Sequence, residues 1–225
     1  MNMKENFKNN IYIIMQMGLF TFLFLGTEYL YVDLLSLIVS QDATVLAQNY
    51  ALGASGIGFL LYPIFHRLLN GRLKKIGLLL IGFISISGLV LMTSLFTLVI
   101  GLLLFLLLGI LGSSVYYHSM DMMDTDQYLA RIVGISYFLG IMLQFVSNNL
   151  IQSELMQSIL LAISLLILII LLIKNSSTTS HNIEEKQDHK SNTVGIILII
   201  LIALMTCMFS TLDNAVTLVH AGGHM

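Results

Sequence analysis

The sequence predicts an all-α integral membrane protein, a bundle of about seven transmembrane helices. Of its 225 residues, 57% are hydrophobic and only 10% are charged, whereas a soluble globular domain is about 25% charged. The apolar residues are also gathered into runs of roughly 20, the length that crosses the hydrocarbon core of a bilayer. We therefore expect the lipid bilayer to be the main partner of the chain.

Short polar breaks and one long polar segment separate the apolar runs. The runs cover residues 11–39, 43–65, 73–93, 95–117, 129–151, 156–173 and 193–221. Residues 174–192 are rich in Ser, Thr, Asn and charge, which is typical of a solvated linker. The chain is thus divided into a six-helix unit (1–173), a cytoplasmic linker (174–192) and a seventh helix with a short outer tail (193–225).

The distribution of Lys and Arg predicts how the helices are oriented. All ten lie in the N-terminal tail, in the linker region, or beside the breaks that follow the second and fourth runs. The opposite breaks and the C-terminal tail have none. Because cytoplasmic loops retain Lys and Arg, we expect a multi-pass protein of the plasma (cytoplasmic) membrane, with its N-terminus inside and its C-terminus outside.

Glu28 is the most informative charged residue, because it lies within the first apolar run. An ionised carboxylate is costly in lipid, so Glu28 is expected to be buried in protein or to face a water-filled cavity. Simple solvation near the outer interface is the alternative. Asp33 lies closer to the end of the same run, and solvation at the interface is the favoured interpretation there.

The seventh run repeats a feature of the first. Glu28 stands four residues after Phe24, and Asp213 stands four residues after Phe209. Both carboxylates lie at similar depth in their runs, and the linker separates the two segments as though a repeat were restarting. We expect Asp213 to be the counterpart of Glu28.

The fifth run carries Tyr137, Gln144 and Asn148, whose spacings of seven and four place them on one helical face. Hydrogen bonding to a bound substrate is one interpretation of this face. Polar packing between helices is the other.

The segment between the second and third runs is the most basic part of the chain, and it contains Arg67, Arg72, Lys74 and Lys75. One interpretation is that these cations only set the topology. The other is a gate, or a contact with lipid head groups, at the cytoplasmic face.

Glycines in the second run (Gly53, Gly56 and Gly58) and in the fourth (Gly109 and Gly112) are expected to allow close packing of helix backbones. Catalytic and metal-binding patterns are missing from the sequence: it has a single cysteine, no zinc-type spacing, no nucleophile elbow and no phosphate-binding glycine loop. We therefore expect neither an enzyme nor a cofactor or metal site, and the dispersed cations do not indicate nucleic-acid binding.

The pattern as a whole resembles the major facilitator superfamily of secondary transporters, specifically its N-terminal six-helix half followed by the first helix of the second half. The resemblance rests on the basic second break, the long linker, the seventh run that echoes the first, and the few polar residues in the third and sixth runs. His66-Arg67 stands where the family has Asp-Arg, and Gly71-Arg72 follows. In that family, substrate binds between two halves, each a three-plus-three repeat.

The resemblance implies a membrane transporter of a small solute, with Glu28 and Asp213 lining a central cavity. It also implies that the chain as given is incomplete, so that a second half or a homodimer would complete the cavity. Two other functions stay open: a non-transporting membrane sensor or interaction module built on the same six helices, and a product without independent activity.

Overall fold

The described part of this computed structural model comprises residues 3–68, 72–91, 96–121, 129–151 and 153–175. These residues form six α-helices and no strand. The helices are α1 (Met3–Ser36), α2 (Gln41–Leu68), α3 (Arg72–Leu91), α4 (Thr97–Asp121), α5 (Leu129–Leu150) and α6 (Glu154–Asn175). The predicted all-α fold is confirmed for this part, whereas the seventh predicted helix and most of the predicted linker lie outside the described residues.

Four segments of the described chain are long and apolar enough to cross a membrane. They are Asn10–Ser36 in α1, Thr97–Ser119 in α4, Ala130–Leu150 in α5 and Glu154–Lys174 in α6. In α3, the apolar part is shorter, Ile76–Val90. These lengths and compositions are those of a helical membrane protein.

Several helices extend beyond the apolar runs from which they were predicted. In the predicted loop at 66–75, Arg67 instead belongs to the last turn of α2, and Arg72, Lys74 and Lys75 belong to the first turn of α3. Hydropathy marks where the chain leaves hydrocarbon, but a helix satisfies its own backbone hydrogen bonds and can continue into the interface. The four cations therefore lie on helix ends, and only residues 69–71 separate the two helices.

Helices α1 and α4 lie antiparallel at the centre of the described bundle. The ring centroid of Phe20 is 6.1 Å from that of Tyr116, and that of Tyr31 is 5.6 Å from that of Phe105. Residues later in α1 therefore contact residues earlier in α4. Around this pair, α1 also contacts α2, α5 and α6, while α4 also contacts α2, α3 and α6.

The outer helices pack in defined directions. Gly18 and Gly26 of α1 lie against Ser136 and Gln144 of α5, respectively, so that α1 and α5 are parallel. Ser55 of α2 contacts Gly109 of α4, and Tyr62 lies 6.0 Å from Tyr117 between ring centroids. The latter two contacts make α2 parallel to α4.

Helices α3 and α6 run antiparallel to each other. The Ser158 hydroxyl of α6 donates a hydrogen bond of 2.8 Å to the Leu89 carbonyl oxygen of α3. Eleven residues further along α6, Ile169 packs against Gly82 of α3.

The main helix contacts follow an approximate two-fold pattern. We compare the contacts after exchanging α1 with α4, α2 with α5, and α3 with α6. The contact between α2 and α4 then becomes the contact between α5 and α1, and the contact between α1 and α6 becomes that between α4 and α3. The α1–α4 and α3–α6 contacts are each exchanged with themselves. Since α1 and α4 are antiparallel, the two groups of three helices are related by an inverted repeat.

Glycines allow close approach at both of the large, equivalent interfaces. A methyl group on Gly58 of α2 would collide with the Leu106 carbonyl oxygen and lie 3.0 Å from Gly109 Cα of α4. A methyl group on Gly140 of α5 would lie 2.8 Å from the Gly18 carbonyl oxygen of α1. Backbone therefore packs against backbone at both interfaces.

The expected packing role holds for three of the five glycines considered from the sequence. Gly58 and Gly109 face each other, and Gly112 admits the rings of Phe20 and Phe59. By contrast, no atom of the described chain lies within 4 Å of a methyl group built on Gly53 or Gly56. These two glycines face outward, because the side of α2 that contacts α4 passes through Gly58.

We predict that Gly58→Ala destabilises the protein by about 1–3 kcal/mol, because the added methyl group overpacks a contact made of backbone atoms. The measurement is the melting temperature in detergent, read as the loss of the folded peak in size-exclusion chromatography after heating. Gly56→Ala is the matched control, since it lies on the same helix and its methyl group meets open space. Equal melting temperatures for the two variants would contradict this account of the α2–α4 interface.

Candidate functional site

Glu28 is half-buried on α1 and is hydrogen-bonded to α2. Its Oε1 accepts a hydrogen bond of 2.7 Å from the side-chain amide Nε2 of Gln48. A bond of this kind to a carboxylate is charge-assisted and stronger than one between neutral groups. Its carboxylate therefore has a fixed direction, set by a partner on a second helix.

Sequence reasoning missed Gln48. The polar pair Gln48-Asn49 is visible in the second apolar run, but only one member of such a pair faces a given neighbouring helix. The structure turns Gln48 towards α1 and leaves Asn49 exposed. Which of the two side chains faces α1 depends on how α2 is rotated about its axis, and the contact of α2 with α4 fixes that rotation.

Gln144 is buried between α5 and α1, with 6% of its surface exposed. Its Oε1 lies 2.8 Å from the position that a methyl group on Gly26 would take. Its Nε2 donates a hydrogen bond of 2.8 Å to Oδ1 of Asn148, which is exposed. That hydrogen bond lies within α5, and Gln144 Oε1 has no hydrogen-bond partner among the described residues. Polar packing between helices and substrate binding by this face therefore both stay predictions.

Glu28 and Gln144 lie at a similar height but on different sides of α1. Gln144 packs on Gly26, and two positions along a helix correspond to about 200° of rotation and about 3 Å of rise. The carboxylate that contacts α2 therefore points away from the amide that contacts Gly26. These side chains form two separate hydrogen-bonded pairs, Glu28 with Gln48 and Gln144 with Asn148.

Two other predicted site residues are exposed. Tyr137 shares a helical face with Gln144 by spacing, yet 56% of its surface is exposed. At its level, the backbones of α1 and α5 approach too closely, at Gly18 and Gly140, to admit a ring between them. Asp33 is exposed towards the end of α1, close enough to Glu154 of α6 for electrostatic repulsion.

Some candidates lie wholly outside the described part of the structure, and for others only the backbone is described. Asp213 is one of the former, so its predicted place in the lining of a central cavity stays a prediction. Of Arg67, Arg72, Lys74 and Lys75, only the backbones are described. Among the described residues, no group of three or more His, Cys, Asp or Glu side chains is arranged to hold a metal ion.

Exposed polar side chains mark the two outer helices that the two-fold pattern makes equivalent. Asn49 and Tyr50 are exposed on α2, and Asn148 and Asn149 are exposed on α5 together with Tyr137. Of the four long apolar segments, the one in α5 is the least buried. Since polar groups are costly in hydrocarbon, these faces suit contact with water or with another protein surface better than contact with lipid.

Comparison with protein-family models, with curated proteins and with solved structures found no match. The resemblance to the major facilitator superfamily therefore rests on the sequence pattern, and it stays a prediction.

We predict that Gln48→Leu lowers the free energy of unfolding by about 1.5–3 kcal/mol, because it removes a hydrogen bond to a charged group. The measurement is denaturant unfolding in mixed micelles. In the background of Glu28→Leu, the same substitution should have a much smaller effect, since the carboxylate is already gone. Additive effects of the two substitutions would show that the Glu28–Gln48 hydrogen bond contributes nothing to stability.

Proposed function

We propose that this protein is a secondary membrane transporter of a small solute, similar to the major facilitator superfamily. The observation that carries this proposal is the inverted three-plus-three pattern of helix contacts. In that superfamily, each six-helix half is a three-plus-three inverted repeat, and substrate binds between two such halves near the middle of the membrane. The pattern supports a six-helix half of such a transporter.

The exposed polar faces of α2 and α5 support the same proposal. Asn49, Tyr50, Asn148 and Asn149 are exposed on these helices, and polar side chains are costly wherever such a surface meets hydrocarbon. In a transporter, these residues border the water-filled cavity or contact a second half. We propose that the second half is supplied by further helices or by a second copy of the chain.

Glu28 is the proposed coupling residue. A half-buried carboxylate within a membrane segment can bind and release a proton, or it can bind a cationic group of the solute. Gln48 holds the carboxylate in place from α2. Asp213 is proposed to face Glu28 across the cavity.

The proposed topology places the protein in the plasma (cytoplasmic) membrane, with its N-terminus in the cytoplasm. The test is labelling of single cysteines, introduced in a Cys207→Ser background, by a membrane-impermeant maleimide. We predict that cysteines at Lys74 and Lys186 react only when the reagent reaches the cytoplasmic face, because all Lys and Arg residues are assigned to that face. Labelling of these two positions from opposite faces would contradict both the topology and the transporter proposal.

We predict that Glu28→Gln abolishes proton-coupled solute flux, while Asp33→Asn leaves it close to the wild-type level. Gln keeps an acceptor for Gln48 but cannot ionise, whereas Asp33 is exposed at the helix end. The measurement uses proteoliposomes loaded with a pH-sensitive dye and exposed to pools of sugars, amino acids, nucleosides and organic acids. Asp33→Asn is the matched control, since it neutralises the other carboxylate of α1's apolar segment.

The outcomes separate the competing functions. Flux that is lost in Glu28→Gln and kept in Asp33→Asn supports coupled transport through Glu28. Wild-type flux in both variants would remove Glu28 from the mechanism. If the folded wild-type protein moves none of the pools with the second half of the cavity present, the transporter proposal fails, and a membrane sensor or interaction module becomes the better assignment.

A further inference from the structure

A layer of aromatic rings joins α1, α2 and α4. Phe20, Phe59 and Tyr116 contribute one ring from each helix, and the three pairs of ring centroids are 6.1, 6.2 and 6.3 Å apart. All three helices therefore converge at this level. Residues one helical turn away on the same faces point towards the same junction of three helices.

The next turn towards the start of α1 and the ends of α2 and α4 is polar. There, Gln16 lies four residues before Phe20, Tyr62 three residues after Phe59, and Ser119 three residues after Tyr116. All three are buried, with exposed fractions of 0%, 2% and 1%. We call Gln16, Tyr62 and Ser119 the polar layer.

Two members of the polar layer lack hydrogen-bond partners among the described residues. Both amide atoms of Gln16, Nε2 and Oε1, are buried without one, and so is the Ser119 hydroxyl oxygen. Buried polar groups in proteins nearly always have a partner, either in the protein or as ordered water. In a membrane helix the need is stronger, since no bulk solvent is available to compensate.

We propose that the polar layer is a binding site for ordered water inside the bundle. A cation would satisfy the oxygens of Gln16 and Ser119 but not the Gln16 NH₂ group, whereas water both donates and accepts hydrogen bonds. A buried water normally bonds to about three otherwise unsatisfied polar groups. The Gln16 amide nitrogen, the Gln16 amide oxygen and the Ser119 hydroxyl are three such groups.

The depth of the layer suits water. Gln16 lies six residues after Asn10, where the apolar segment of α1 begins, which corresponds to about 9 Å along the helix. Water can enter from the nearby interface, while the rings of Phe20, Phe59 and Tyr116 close the deeper side. This inference concerns packing within one six-helix unit and does not depend on the transport function.

The test is X-ray radiolysis of the full chain in lipid nanodiscs, with modified residues identified by mass spectrometry. Radiolysis creates hydroxyl radicals from water wherever it is bound, so a buried side chain beside ordered water is modified. Tyr62 is the reporter, and Tyr31 is the matched reference: it is 0% exposed and lies in the α1–α4 contact at the other end of the bundle. We expect Tyr62 to be modified several-fold faster than Tyr31.

Two substitutions and one further radical source complete the test. Gln16→Leu and, separately, Ser119→Ala should each lower the modification rate of Tyr62 while leaving that of Tyr31 unchanged. Radicals produced chemically in bulk solution should leave Tyr62 unmodified, because only 2% of its surface is exposed. Equal rates for Tyr62 and Tyr31, no effect of either substitution, or modification of Tyr62 by bulk radicals would each overturn the proposal.

Discussion

Close contact between helix backbones at glycines is the interaction on which the described structure depends. Gly58 and Gly109 bring α2 against α4, and Gly18 and Gly140 bring α1 against α5. In lipid, apolar side chains gain little by leaving their surroundings, so helices associate through packing and hydrogen bonds. These two equivalent interfaces hold α2 and α5 in register with the central pair, and the Glu28–Gln48 hydrogen bond between α1 and α2 depends on that register.

The central pair, α1 and α4, combines aromatic contacts with buried polar side chains. Phe20, Phe24, Tyr31, Phe105 and Tyr116 form a series of aromatic contacts along the antiparallel interface. Thr27 of α1 and Ser114 of α4 are buried along the same helices. Glu28 turns aside to α2, where Gln48 donates a hydrogen bond to it.

The proposed transport function joins three features that were found separately. The inverted contact pattern is that of one six-helix half of a transporter. The exposed polar faces of α2 and α5 provide a surface that suits water or a second half, and Glu28 provides a carboxylate within the membrane segment of α1. Packing explains Gly58 and Gly109. Glu28 has a structural role through its hydrogen bond to Gln48, and in the proposed function the same carboxylate also binds a proton or a cationic group of the solute.

Composition and periodicity were sufficient to predict a helical membrane protein and the approximate positions of its first six helices, because apolar runs of bilayer length leave a chain few other structures. They also marked Glu28 as exceptional, since a carboxylate inside such a run needs an explanation. Only the tertiary structure decided which partner each polar residue meets: Glu28 meets Gln48, Gln144 packs on Gly26, and Tyr137 stays exposed. The physical reason is that a single helix determines which residues share its face, whereas the neighbour that covers the face depends on how closely the helix backbones approach.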